Sequence, residues 1–306
     1  MELLKQLCEV PAPSGNEVAL KEFIVTYVRE HQAQWRSTPT LIEGEDLRDS
    51  LILSFGKPRT VVLAHMDTVG FTVRYHDQLI PIGSPKTEDG YRLVGADHLG
   101  PVVCELAVYE SKKIQQLRYQ FGRALARGTE LTFECDFRET TDFVQTCYLD
   151  NRLGVYNALR LAETLEDGLL VFTCGEEHGG GSVPYLARFI YEEFRVKQYL
   201  ISDVTWTTDG VVAGQGAVVS MRDRIIPRRS FLNKVIGLAE AAEVPFQLEV
   251  EATGSSDARE LLQAPYPIDW CFVGAPVAYA HSPNEKVHRA DVTSMLALYR
   301  HLLQEL

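Results

Sequence analysis

A chain of 306 residues is about twice the length of an ordinary ~150-residue domain, which excludes a small stapled module and allows two domains or one large α/β unit. With 45% hydrophobic and 24% charged residues the composition supports a real core and excludes wholesale disorder. Lys and Arg number 30 against 42 Asp and Glu, and the resulting charge of −12 has the wrong sign for a phosphate-binding surface, so no nucleic-acid partner is expected.

Residues 2–9 read as a short helix stopped by Pro11-Ala12-Pro13-Ser14-Gly15. Ser14 with Glu17 three residues on predicts a capping box for a second helix running to about Glu30. Leu51–Phe55 and Thr60–Ala64 are apolar runs bounded by turn residues, as in buried strands, and the second ends in His65-Met66-Asp67. From Gly70 to Tyr148 the texture changes to short β-like pieces, Phe71–Tyr75, Tyr91–Val94 and Leu131–Phe137. Turn signals at Asp89-Gly90 and Arg127-Gly128 separate them. Pro101–Tyr119 fits either a helix or a strand followed by a loop.

After Asp150 the pattern is alternating helix and strand. Helices are predicted at Leu153–Leu165, Val183–Glu193, Phe231–Ala242, Asp257–Leu262 and Asp291–Leu306, and strands at Leu169–Cys174, Tyr199–Ser202 and Trp270–Gly274. The α/β signal lies on both sides of the β-rich stretch. The expected division is therefore an α/β domain of residues 1–69 plus 149–306, interrupted by a β-rich insertion of residues 70–148.

The six cysteines, at 8, 104, 135, 147, 174 and 271, form no C-x-x-C pair, which argues for reduced thiols and against a zinc ribbon or a disulfide framework. The N-terminal segment carries acids where a signal peptide needs a basic start, and no run approaches the ~20 apolar residues of a membrane span. The expectation is a cytoplasmic protein without a membrane partner.

Five potential metal ligands sit where predicted strands give way to loops: His65, Asp150, Glu177, Asp203 and His281. Singly, each has a bland explanation as a turn, cap or surface residue. His65 and Asp67 form H-x-D, a spacing that lets the carboxylate bind the far imidazole nitrogen and fix its tautomer. Glu176 and Glu177 are adjacent after a buried strand and point in different directions, so one can bind metal while the other handles a proton.

Seven short elements occur in order along the chain: Pro11–Glu17, Ala64–Gly70, Leu149–Gly154, Gly175–Glu177, Ser202–Thr205, Gly254–Ala258 and His281–Glu285. On these elements the sequence resembles the cytosolic dinuclear metalloaminopeptidases of the glutamyl, deblocking and tetrahedral aminopeptidase family, some labelled cellulase M. The resemblance covers nearly the whole chain. It implies an α/β fold of the zinc-exopeptidase kind, a mixed sheet flanked by helices, with an inserted β-rich domain used for oligomerisation and for lining the cleft.

Carried over residue by residue, the resemblance makes Asp150 a bridge between two divalent metals, completed by His65 and Asp203 on one side and by Glu177 and His281 on the other. Glu176 becomes the general acid/base and Asp67 the orienter of His65. The Asp150–Asn151 peptide is expected to be cis. Zn²⁺ suits the mixed imidazole and carboxylate donors, with Co²⁺ or Mn²⁺ as alternatives. The implied activity is hydrolysis of the N-terminal residue from short peptides by a homo-oligomer.

The rival reading is a carboxypeptidase or N-acyl amino acid deacylase with the same metal set, which needs a cation such as Arg222, Arg224 or Arg228 to grip a substrate carboxylate. His178–Ser182 reads as a flexible cleft wall and Asp257 as a helix cap. His98, in the insertion, is the histidine that could reach a neighbouring subunit's cleft. The preferred N-terminal residue is not specified by the sequence.

Overall fold

The computed structural model describes residues 1–111 and 114–306. Its centre is an eleven-stranded mixed sheet. Four parallel strands form the middle, in the spatial order Gly168–Thr173, Thr60–His65, Gln198–Trp206 and Asp269–Ala278. Antiparallel strands Arg48–Phe55 and Thr40–Gly44 extend one side; Glu285–His288, Phe143–Thr146 and Arg138–Glu139 extend the other. Ala217–Arg222 also pairs with Asp269–Ala278 and carries Phe246–Val250 beside it.

Every residue of Thr60–His65 and Gly168–Thr173 is buried. Alternate side chains enter different cores, which is why these strands read as unbroken apolar runs. Val62, Ala64, Leu170 and Phe172 join helices Glu2–Glu9, Val18–His31, Leu149–Ala162, Arg229–Ala241 and Arg289–Glu305 on one face. Val61, Leu63, Leu169 and Val171 join helices Val183–Phe194 and Ala258–Gln263 on the other. The fold is thus α/β, a mixed sheet flanked by helices.

A separate six-stranded closed barrel is built from Gly70–Val73, Gln78–Ile82, Arg92–Asp97, Gly100–Ser111, Ile114–Gln120 and Glu130–Phe133. Its interior holds Phe71, Leu93, Cys104, Leu106, Leu131 and Phe133. The stretch 101–119 is a hairpin, with Val102, Cys104 and Leu106 inward and Pro101, Val103 and Glu105 outward; residues 112 and 113 of that stretch lie outside the described residues. Period-two burial decides it, and that burial exists only once the barrel closes. Arg138–Glu139 and Phe143–Thr146 hydrogen-bond into the large sheet, not into the barrel.

Two local expectations need correction. Ser14 and Glu17 do not form a capping box: the helix starts at Val18 without a side-chain cap. The Ser14 hydroxyl donates to Asp67 at 2.5 Å, and Glu17 accepts the N–H groups of Gly15 and Gly175. Ser14 thus donates to a buried carboxylate in a charge-assisted bond, where a cap would have had it accept a helix N–H. The helix expected from Leu153 begins at Leu149, across non-helical Asp150 and Asn151, and the Asp150–Asn151 peptide is cis. Among the described residues no helix is long and apolar enough to cross a membrane.

Candidate metal centre

The carboxyl ends of the parallel strands gather the chemistry, as open α/β sheets do. His65 is the last residue of its strand, in register with Thr173, so the loop after Thr173 brings Glu176 and Glu177 alongside it. Asp203 lies on the neighbouring strand, Asp150 at the start of the Leu149–Ala162 helix, and His281 just beyond the Asp269–Ala278 strand.

Asp150 turns one oxygen to each histidine: Oδ1 is 3.2 Å from His65 Nε2, and Oδ2 is 3.2 Å from His281 Nε2. Asp203 Oδ2 stands 3.5 Å from His65 Nε2, and Glu177 Oε2 stands 3.3 Å from His281 Nε2. Two triads result, His65–Asp150–Asp203 and Asp150–Glu177–His281, each compact enough to hold a cation.

The far ring nitrogens show what belongs between these groups. His65 Nδ1 faces the Asp67 carbonyl at 3.2 Å and the Asp67 carboxylate at 3.5 Å; His281 Nδ1 faces the Ser84 carbonyl at 3.1 Å. Carbonyl and carboxylate oxygens only accept, so both Nδ1 atoms carry protons and both neutral rings aim an Nε2 lone pair at carboxylates. Such a contact needs a positive charge. Without metal the rings supply it as protons. Burial disfavours the His65 cation, but Asp203, Asp150 and Asp67 outweigh it and push the pKa well up; Asp150 and Glu177 do the same for His281, to about 10. Glu177 Oε1 is buried without a hydrogen-bond partner. Two imidazole nitrogens and three carboxylates, one of them with this orphaned oxygen, fit divalent cations of the zinc, cobalt or manganese kind.

Supporting residues fix these donors. Asp67, fully buried, accepts the backbone N–H of Glu176 at 3.0 Å and of Glu177 at 2.9 Å besides the Ser14 hydroxyl. Glu176 has no side-chain hydrogen bond among the described residues, and burial holds its carboxyl well above the usual range, the His65 charge opposing. Sequence reasoning missed three supports. Glu285 accepts the N–H of Asp150 and of His281, Ser256 donates to Asp203 at 2.6 Å, and buried Arg152 donates to the carbonyls of Leu7, Val10 and Met66. Glu285, Ser256 and Arg152 lie within the short elements quoted above, which is the signal that could have found them.

Asp257 precedes its helix but makes no side-chain cap; it accepts from Thr173 at 2.6 Å instead, its other oxygen buried and unpartnered. Burial raises its carboxyl to about 7. His98 is exposed in the turn between barrel strands Arg92–Asp97 and Gly100–Ser111. The His178 ring accepts the Gly83 N–H, and Ser182 accepts that of Cys174, which anchors both ends of the glycine-rich stretch; none of residues 178–182 lines the cavity at the triads.

The triads open into a cavity of about 110 Å³ that also contains Glu176 and the outer side chains Trp206 and Phe272. A larger one of about 400 Å³, lined by Arg36, Arg59 and Asp167, lies at the opposite ends of the parallel strands and holds no comparable ligand cluster among the described residues.

A solved aminopeptidase of the TET type from Thaumarchaeota archaeon SCGC AB-539-E09 superposes with a TM-score of 0.87 at 18% identity, covering 100% of this chain and 96% of that one. The Pyrococcus horikoshii TET1 peptidase, described as assembling into a tetrahedron or a large octahedral shell, superposes at 0.83 with 21% identity, over 100% and 99%. These likenesses establish the fold. A protein of Acetivibrio thermocellus provisionally named an aminopeptidase is 26% identical, with 97% of this chain and 96% of the relative covered. The family model described as M42 glutamyl aminopeptidase matches residues 122–298, more than half of the chain, and the chain belongs to that family.

Proposed function

We propose that this chain is a metal-dependent aminopeptidase that removes the N-terminal residue of short peptides. His65, Asp150 and Asp203 would hold one divalent cation, and Asp150, Glu177 and His281 a second. The observation that carries the reading is the split of the Asp150 carboxylate between two histidines whose lone pairs both face acids. Two cations so held would supply an activated water and a polarised scissile carbonyl. Zinc is the first choice and cobalt or manganese the alternatives.

The chain's own residues then have distinct tasks. Glu176, free of side-chain partners and kept basic by burial, takes the water's proton and returns it to the leaving amine. Asp67 holds His65 in one tautomer and pins the backbone of Glu176 and Glu177. Residues 70–148 act as an inserted unit for cleft lining and homo-oligomer formation. Supporting the first, Ser84 and Lys86 contact His281 directly; supporting the second, the barrel exposes Ile80, Leu99, Val103 and Tyr109. Six free cysteines fit a reducing, cytoplasmic setting.

The carboxypeptidase or deacylase alternative needs a cation for the substrate carboxylate. Arg228 is paired with Asp269, Arg222 donates to the Asp223 carbonyl, and neither they nor Arg224 line the cavity. Comparing an unblocked aminoacyl anilide with an N-acetyl amino acid tests the choice: only the anilide should be cleaved. Turnover of the blocked compound alone would reverse it.

A further inference from the structure

We infer that the outer part of this cavity selects peptides whose N-terminal residue has a cationic side chain, lysine or arginine; the inference rests on the aminopeptidase reading above. Beyond the triads and Glu176, the lining adds three carboxylates, Asp223, Glu249 and Glu251, and contains no Lys or Arg. They converge because strands Ala217–Arg222 and Phe246–Val250 run parallel and end at one edge, with Ser220 in register with Glu249 and the Glu251 N–H bonded to the Arg222 carbonyl.

Glu249 is only 4% exposed, yet it lines the cavity, so its carboxylate faces that space and not bulk water. Its Oε1 accepts the Thr205 hydroxyl. The adjacent Ser220 hydroxyl is buried and turned to Glu249, not to the cavity, which it does not line. A buried carboxylate that faces the cavity with only these two hydroxyls beside it can take a further, charged donor from that space. An ammonium offers three N–H donors and a guanidinium five.

The walls suit the rest of such a side chain. Trp206, 45% exposed, and Phe272 line the same space and can pack the methylene stem and face the cation. A glutamyl or aspartyl side chain would meet like charge. An uncharged one would leave the buried Glu249 carboxylate without a charged partner in the cavity.

The test compares lysyl, arginyl, norleucyl and glutamyl anilides on the full-length protein loaded with Zn²⁺ or Co²⁺. Norleucine keeps the α-amine and the stem but lacks the terminal charge. Lysyl and arginyl kcat/KM should exceed norleucyl by about tenfold or more, with glutamyl lowest. Glu249→Gln, and separately the more exposed Glu251→Gln, should shrink the lysyl-to-norleucyl ratio mainly through KM. Calorimetry with lysinamide and norleucinamide gives a readout apart from turnover, and lysinamide should bind more tightly. Equal treatment of lysyl and norleucyl substrates, or a glutamyl preference, overturns the subsite while the aminopeptidase reading stands. No cleavage of any unblocked anilide overturns both.

Discussion

Glu285 accepts the backbone N–H of Asp150 at 3.0 Å through one oxygen, and its other oxygen accepts that of His281 at 2.6 Å. One buried side chain therefore sets the separation of two proposed ligands that are 131 positions apart in the chain. Glu285→Gln places an amide N–H₂ against one of these donors. Zn²⁺ affinity should fall about 10–100-fold with the fold retained, the usual effect of disturbing a ligand's support. Metal titration with circular dichroism as a folding control checks this; unchanged affinity would remove the positioning role.

Glu176→Gln should keep both fold and bound metal, because the side chain holds neither. Turnover of an aminoacyl anilide should drop about 10²–10⁴-fold, mainly in kcat. Elemental analysis of the purified variant, run beside the kinetics, separates lost proton transfer from lost metal, and near-normal turnover would reject the assigned role.

Asp67→Asn turns a pure acceptor into a group whose N–H₂ confronts the N–H groups of Glu176 or Glu177. Both metal affinity and stability should suffer, the latter by about 1–3 kcal/mol for the buried donor left unpaired. Urea denaturation of the metal-free protein isolates the stability part, and a variant as stable as the parent would contradict it.

Gly154→Ala should destabilise the centre from the rear. A Cβ there would clash with the backbone carbonyl oxygen of Ser202, immediately before Asp203. Backbone must move, at a cost of about 1–3 kcal/mol. A lowered melting temperature is expected, and excess Zn²⁺ should recover part of it by binding the folded form.

The metal-free protein should lose stability as pH rises. Burial lifts Glu285 to about 8 and Glu17 and Asp257 to about 7 from ordinary values of 4.5, 4.5 and 3.8. His281, where Asp150 and Glu177 outweigh burial, rises from 6.5 to about 10. Each group binds protons more tightly folded than unfolded. Its contribution is complete below the unfolded value and vanishes as pH climbs through the folded one. Melting temperatures of EDTA-treated protein should decline between pH 5 and pH 9, and added Zn²⁺ should raise them most at the high end, where it replaces protons. A flat or rising profile without metal would show that these groups are not held as described.

Local pattern alone made much of the molecule legible. The unbroken apolar runs Thr60–Ala64 and Leu169–Cys174 are buried strands because each alternate residue meets a different core. His65, Asp150, Glu177, Asp203 and His281 could be named because each closes or follows such an element and stands in a short, recognisable motif. Pro101–Tyr119 resisted reading because only closure of the barrel gives its side chains an inside and an outside.

Sequence by itself determined the types of the strongly patterned elements, the α/β class and the residue kinds able to bind a cation, since periodicity and turn chemistry act within a few residues. Tertiary structure alone decided who meets whom. Ser14 serves Asp67 instead of a helix end, Glu285 joins Asp150 to His281, and Asp223, Glu249 and Glu251 converge on a cavity without a basic residue. Hydrogen bonds and charges act over a few ångströms of space, and distances that short between remote positions are set by strand register, which the chain acquires only on folding. The −12 charge of the opening count thus has, in part, a place: it collects where the parallel strands end.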